Sequence, residues 1–446
     1  MIPGILRLNS KTKYGMTSRN VPIYLFNPLD KKYQPCIVGC SQKDVTSNVL
    51  ALINVERWEE NKLTRGNLIR IIGTCGDLKA EEEALLYQYS SSTWKRFSKE
   101  TLKIPSFDGY THITGFAFNV DPPGCTDIDD AIIVGDDEYI YIVIADVASW
   151  MIENPDIFKK ASTIGQTLYN NGRIISPLLP IQDECSLLPD KKRHGIALRF
   201  KWNNSEISNL KFMKVSFVNS KSFTYESIYS TKYGSLLKEI SSYIAKRDII
   251  DSHEWISELM ILYNCEVAKV LVNQKQGLLR TQNAPDIEKF ELYTTLGADL
   301  EFLANKSALY THALEGGKHW GLNKEYYCHS TSPIRRFADI VNQMVIREDS
   351  ILPFDLETIN TLATNAKKYE RDVFFMNKIL STSSRVVNGI VLSDHRIWVS
   401  SWKRIITCKN SEPLGSSGIL KYSLDMDQPS WKRKMVFRFE GINYQE

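Results

Sequence analysis

Four aspartates fall within ten residues, in the stretch DPPGCTDIDD at 121–130. Asp121, Asp127, Asp129 and Asp130 share a segment whose Pro-Pro-Gly start fits neither a helix interior nor a central strand. The carboxylates therefore crowd on a turn with their oxygens free to converge. Like charges this close repel, and a hard divalent cation such as Mg²⁺ or Ca²⁺, which prefers carboxylate oxygen, turns that repulsion into binding. An exposed acidic turn is the plainer alternative. Against it, the loop runs straight into AIIV (131–134) and then YIYIVIADV (139–147), apolar strand patterns on a scale that a merely charged turn does not need. A calcium loop of the EF-hand type is excluded. Counted from Asp127, Ala131 and Ile132 stand where that motif needs a ligand and a glycine, and the flanks read as strand rather than helix.

A second constellation starts at His329, in HSTSPIRRFADIVNQ. Ser332 is a natural helix cap and Pro333 a natural first helical residue, so the spacing predicts a helix over about 333–346. Ile334, Phe337, Ala338, Val341 and Val345 form one face, with Arg335, Asp339 and Asn342 together on another. Arg335 and Arg336 then sit in the first turn, where the macrodipole is already positive, an unfavourable placement that a bound anion would reverse. Two solvated arginines, one paired with Asp339, is the competing arrangement. Combined, an acidic metal loop and an arginine at a helix start suggest phosphodiester chemistry, with metal ions activating water and holding phosphate while arginine neutralises transition-state charge.

The elements that must position these groups can be sketched from pattern. The chain has 446 residues, 43% hydrophobic and 24% charged, with a net charge of +3, an ordinary globular balance with room for about three domains. That charge permits a polyanion partner locally without requiring one. The eight cysteines show neither zinc-ligand spacing nor a disulfide framework, so reduced thiols in an intracellular, cytoplasmic setting are expected. The longest apolar run, around 139–148, is too short for a membrane span. The first 29 residues are basic and lack acid, but GILRL and VPIYLF within them read as strands, so the stretch is taken as folded rather than as a targeting segment. VPIYLF (21–26), CIVGC (36–40), VLALINV (49–55) and NLIRIIG (67–73) predict a small barrel, followed by a helix from about 78 with Asp77 as its cap. A helix over about 255–273 carries the stripe Ile256, Leu259, Met260, Tyr263, Val267, Val270 and Leu271, and a long helix starts at Asp355. In the last 60 residues Trp398, Trp402, Tyr422, Trp431, Phe437 and Phe439 interleave with Lys403, Arg404, Lys432, Arg433, Lys434 and Arg438. Rings and cations in that mixture suit a single-stranded nucleic acid groove, and more readily an ordinary small β domain with an aromatic core and solvated lysines.

VDPPGCTDIDDA with TSPIRRFAD some two hundred residues later resembles the catalytic domain of the RNase II / RNB family of 3′→5′ exoribonucleases. IADVASW (144–150), YNNGRIISPLLP (169–180), CSLLP (185–189), FTYESI (223–228) and ISELMILYNCEVA (256–268) resemble family segments in the same order, and LIRIIGTCGDLKAEEEALL resembles the end of its cold-shock-type OB domain. The resemblance implies an α+β fold, a mixed α/β RNB catalytic domain (96–385) flanked by small β-barrel, OB-like domains (1–95 and 386–446). It implies magnesium, with manganese a possible substitute, on Asp121, Asp127, Asp129 and Asp130, with Asp129 and Asp130 catalytic and Asp129 the aspartate most tied to catalysis. Arg335 would contact the scissile phosphate, Tyr169 would stack on a nucleotide near the 3′ end, and Arg280 and Arg336 would bind RNA. Tyr225 and Glu258 would contact the terminal ribose, where a 2′-hydroxyl separates RNA from DNA. Periodicity alone gives Glu258 no such role, since it lies opposite the apolar stripe.

Departures accompany the likeness. Only 32 residues separate Tyr225 from Glu258, a shortened segment that in the family supplies strands and a second stacking aromatic. Gln282 stands where the family often has histidine, and Gln343 and Met344 replace a histidine-arginine pair. The expected activity is magnesium-dependent 3′→5′ hydrolysis of single-stranded RNA to nucleoside 5′-monophosphates. A catalytically silent RNA-binding scaffold of the same fold is the first alternative, and an enzyme acting on DNA or cutting internally is the second.

Overall fold

A computed structural model describes residues 1–441 except 57, 59–62, 91, 204 and 382–384. Two compact units are formed, one by residues 1–91, 292–300 and 365–446, the other by residues 92–291 and 301–364.

In the first unit, β1 (Ile2–Leu6), β2 (Ile23–Pro28), β3 (Cys36–Gly39), β4 (Val49–Asn54) and β5 (Thr64–Thr74) close a barrel in the order β1-β2-β3-β5-β4. Its interior is filled by Leu6, Phe26, Val38, Ala51 and Ile53. The expected barrel is there, opened by the strand within the basic N-terminal stretch. Helix α1 (Leu78–Tyr89) follows, and Asp77 caps it by accepting the Ala80 amide at 2.9 Å.

The second unit is built on seven strands, β6 (Thr111–His112), β7 (Gly115–Val120), β8 (Asp130–Gly135), β9 (Tyr139–Ala145), β12 (Lys192–Trp202), β13 (Ile207–Val218) and β14 (Lys221–Phe223). They run in the order β14-β7-β8-β9-β12-β13-β6, antiparallel through the centre and parallel at each edge pair. The unbroken apolar run of β9 is explained by burial on both faces. Tyr141, Val143 and Ala145 join one core with Met151, Phe158 and Phe337. Ile140, Ile142 and Ile144 join another with Leu237, Leu259 and Tyr263. Helices α2 (Ala148–Glu153) and α3 (Pro155–Ile164) supply the first core. The β10 (Leu168–Asn170) and β11 (Arg173–Ser176) hairpin and α4 (Gln182–Cys185) lie between β9 and β12 in the chain. The second core takes α5 (Lys232–Ala245) and α6 (Ser252–Gln274). Helix α6 begins three residues before the stripe predicts, because Asp251 caps it by accepting the His253 amide at 3.0 Å. After β15 (Leu278–Thr281) come α7 (Ile287–Leu296), β16 (Leu309–His312), which pairs with β15, and α8 (Phe337–Ile346).

The helix expected over 333–346 begins only at Phe337. Residues 332–336 form a turn, with the Arg335 and Arg336 amides both donating to the Ser332 carbonyl. The next residues pair with a distant stretch instead: the Phe337 amide donates to Gly165 O and the Thr167 amide to Arg335 O, both at 2.9 Å. Arg335 and Arg336 therefore precede the helix rather than occupying its first turn.

Helix α9 (Leu356–Ser381) leads to β17 (Val386–Ser393), β18 (Arg396–Val399), β19 (Arg404–Thr407), β20 (Ser417–Leu424), α10 (Trp431–Lys434) and β21 (Met435–Gly441), a sheet ordered β19-β18-β17-β20-β21. Trp398, Trp402, Tyr422 and Trp431 are buried. Trp402 packs edge-on against Tyr422 and Phe437 at 5.6 and 6.4 Å. These rings are core, as the small-domain reading of the tail has it; the Lys432 side chain lies outside the described residues. Lys434 is buried as well, and its Nζ donates to both Glu81 oxygens at 2.6 and 2.8 Å. Among the described residues no helix is long and apolar enough to cross a membrane.

Candidate active site

The acidic stretch forms the loop from β7 to β8, and the sheet holds it at several points. Asn119, buried at the end of β7, donates from Nδ2 to Asp121 at 2.8 Å and is itself fixed by Asn219 and Ser222. The Asp121 amide donates to Phe223 O. Gly124, at φ +79°, allows the turn that closes with the Cys125 amide on Pro122 O. Ile128 is pinned on both sides, its amide donating to Ser186 Oγ and its carbonyl accepting the Leu187 amide. Asp130 then opens β8.

The four aspartates, Arg335, Tyr169, Arg173, Cys125 and Tyr225 line one open cavity of about 690 Å³. Asp129 is 4% exposed. Its Oδ1 accepts the Ile334 amide at 2.8 Å and its Oδ2 faces Arg335 Nε at 3.3 Å. Arg335 also donates to Ser332 Oγ at 3.0 Å, and with its side chain 48% exposed it keeps much of its guanidinium open to the cavity. The Tyr169 hydroxyl donates to Asp127, whose other oxygen meets the Cys125 thiol. Among the described residues no donor reaches the Asp130 carboxylate.

These surroundings push the carboxyls toward protonation. Burial raises Asp129 to about 7 against the opposing pull of Arg335 and the Ile334 amide. Burial also raises Asp130 well above its ordinary value, with Asp121 and Asp129 adding to it. Asp121 is raised by burial against the Asn119 bond, with Asp127 adding. Burial, then Asp121 and Asp130, pushes the Tyr225 hydroxyl up to about 12, so it stays a donor at neutral pH.

A hard divalent cation would relieve this repulsion, and four carboxylates are the donor set it prefers. The donor-free Asp130 carboxylate fits such an ion in particular. Among the described residues, however, no three His, Cys, Asp or Glu side chains already stand together around a single point. Asp127 is held by Tyr169, and Asp129 by Ile334 and Arg335. The residues suit the ion by chemistry, while all but Asp130 are engaged by protein donors.

Of the ten residues singled out from sequence, Asp121, Asp127, Asp129, Asp130, Arg335, Tyr169 and Tyr225 meet at the cavity. Glu258, half-buried on α6, is not part of its lining. Arg336 pairs with buried Asp339 at 2.8 Å, so it is the arginine of the two that takes the Asp339 pairing. Arg280, on β15 and 6% exposed, lies over the Tyr310 ring at 4.4 Å. Arg173 was missed. Asn171 and Gly172 both have positive φ, so the Asn-Gly pair makes a tight hairpin turn that brings Arg173 opposite Asn170 and to the cavity wall. The Asn-Gly signal was there to be read. Also missed was His253, whose ring stacks on Tyr225.

The RNB domain family matches residues 110–235 and 234–348, and the Dis3-like cold-shock domain 2 (CSD2) family matches residues 23–90. Among solved structures, Mycoplasma genitalium RNase R in complex with ribose methylated single-stranded RNA superposes with a TM-score of 0.76 at 16% identity, covering 98% of this chain and 90% of that one. Yeast Ssd1, a pseudonuclease, superposes with a TM-score of 0.67 at 16% identity, covering 94% and 66%. The fold is thus that of RNase R. The chain belongs to the RNB family. Similar curated proteins include the human exosome complex exonuclease RRP44, 24% identical over 76% of this chain and 46% of its own length, and Chlamydia pneumoniae ribonuclease R, 23% identical over 73% and 63%. The chain therefore spans about half to two thirds of the length of these relatives.

Proposed function

We propose that the chain is a divalent-metal-dependent 3′→5′ exoribonuclease that degrades single-stranded RNA to nucleoside 5′-monophosphates. The observation that supports it best is the meeting of four aspartates and the half-exposed Arg335 in one open cavity of an RNB-family fold. Asp121, Asp127, Asp129 and Asp130 would hold magnesium, or manganese in its place, and the ion would supply Lewis acidity and water activation there. Arg335 stands where its free guanidinium edge can neutralise charge growing on a phosphoryl group. The Ile334 amide fixes the Asp129 carboxylate whether or not Arg335 turns toward phosphate. Tyr169 offers ring surface and Tyr225 its hydroxyl to the terminal nucleotide, and Arg173 a cation on the same wall. Glu258, Arg280 and Arg336 are carried as RNA contacts by resemblance, outside the cavity lining. Single-stranded RNA as the substrate is supported by the RNase R complex with such a strand. Eight free cysteines support an intracellular, reducing setting.

A catalytically silent RNA-binding scaffold is the second reading. It is favoured by the likeness to the pseudonuclease and by the protein partners that occupy Asp127 and Asp129. RNA oligomers labelled at the 3′ or the 5′ end, incubated with magnesium or with EDTA, decide between them. Mononucleotides released from the 3′ end with magnesium alone are expected. Binding without turnover would leave the scaffold, and internal cuts or equal digestion of DNA would leave a different nuclease.

A further inference from the structure

The first turn of α6 places an aromatic side chain against Tyr225, which lines the cavity. The imidazole of His253 lies 3.8 Å from the Tyr225 ring centroid with the planes 23° apart. His253 is exposed, so burial does not account for this placement. The backbone fixes it: Asp251 Oδ1 accepts the His253 amide, Ser252 Oγ donates to the Tyr225 carbonyl at 2.8 Å, and the Ser252 amide donates to the Tyr229 hydroxyl at 2.9 Å. The start of α6 and the turn carrying Tyr225 are therefore clamped together, and the stacked pair sits on that clamp.

We infer that His253 is a positioning residue for Tyr225. It fixes the plane of the ring at the cavity wall and occupies one face on which a nucleobase could otherwise stack. Tyr225 is left to meet the terminal nucleotide with its edge and hydroxyl. The inference rests on the nuclease reading of the cavity. If the whole contribution of such a stacked pair goes into holding Tyr225 in place, its loss changes kcat/KM by about three- to tenfold.

The test measures kcat and KM for digestion of one fluorescent RNA oligomer by the wild type, His253→Ala, His253→Leu, His253→Phe, Tyr225→Ala and the double variant His253→Ala/Tyr225→Ala, with thermal melts of each. His253→Ala and His253→Leu should lower kcat/KM about three- to tenfold at unchanged melting temperature, and His253→Phe should stay within about twofold of wild type. In the Tyr225→Ala background, His253→Ala should add nothing beyond about twofold, since the partner it positions is gone. An unchanged kcat/KM in His253→Ala, effects that multiply in the double variant, or a Phe variant as impaired as the Ala variant each overturns the inference while leaving an active wild type and its nuclease reading intact. Losses that track melting temperature in every variant assign His253 a structural role and overturn it too. A wild type that digests no RNA removes the nuclease reading and this inference with it.

Discussion

Without metal, the aspartate cavity should make the protein less stable as pH rises, and a divalent cation should cancel that loss. The Asp129 carboxyl has an ordinary value of 3.8 and is pushed up to about 7 by burial. Between those values the folded state binds more protons than the unfolded state, so the unfolding free energy falls with rising pH. The stabilisation is fully present below 3.8 and gone above about 7. A difference of about three units amounts to about 4 kcal/mol across the whole window, of which about 2 kcal/mol is lost between pH 5.5 and 7. Asp121 and Asp130 shift in the same direction and steepen the slope. A cation binds the deprotonated carboxylates, so its stabilisation, about 2.7 kcal/mol at a hundredfold excess over Kd, should be larger at pH 8 than at pH 5.5. The assay is thermal unfolding of wild type and Asp129→Asn/Asp130→Asn at pH 5.5 and 8, each in EDTA and in magnesium. Titration calorimetry at pH 6 in two buffers of different ionisation enthalpy would count protons released on binding. Equal pH slopes for the wild type and the double variant in EDTA, or a magnesium shift no larger at pH 8 than at pH 5.5, would refute the argument.

Further outcomes follow from the same geometry. Asp129→Asn should keep RNA affinity, measured by anisotropy, and leave less than about a hundredth of wild-type turnover; more residual activity would count against its assignment to catalysis. Arg335→Ala should lower turnover about a hundredfold or more with a smaller loss of affinity, whereas a merely solvated arginine would change neither. Glu258→Ala should narrow the ratio of RNA to DNA digestion if Glu258 reads the terminal ribose, a role its place outside the cavity lining puts under direct test. Lys434→Met should destabilise the first unit by about 3–5 kcal/mol in denaturant melts by stranding Glu81, and Glu81→Leu/Lys434→Met should recover most of it.

What could be read from the sequence was what local chemistry decides. Asp77 as a cap, the barrel strands and the apolar runs on either side of the acidic loop all depend on near neighbours and on burial, which pattern reports directly. The four aspartates of that turn line one cavity, though no three of them stand around a single point among the described residues. TSPIRR shows the limit. Ser332 and Pro333 are a sound helix start by local rules, yet the helix waits until Phe337, because residues 335–337 bond with 165–167 across the fold. The turn that stands in its place presents the Ile334 amide to Asp129, 205 positions away in the chain. It also separates the two arginines: Arg336 is committed to Asp339, while Arg335 stays half-exposed above the carboxylates. The aromatic, basic tail is ambiguous for the complementary reason, since residue types suited to a groove also suit a small core, and only burial distinguishes them. Local propensity was overridden here at the point where the proposed chemistry needs a backbone donor and a free guanidinium side by side, which is where a departure from local rules is expected to carry function.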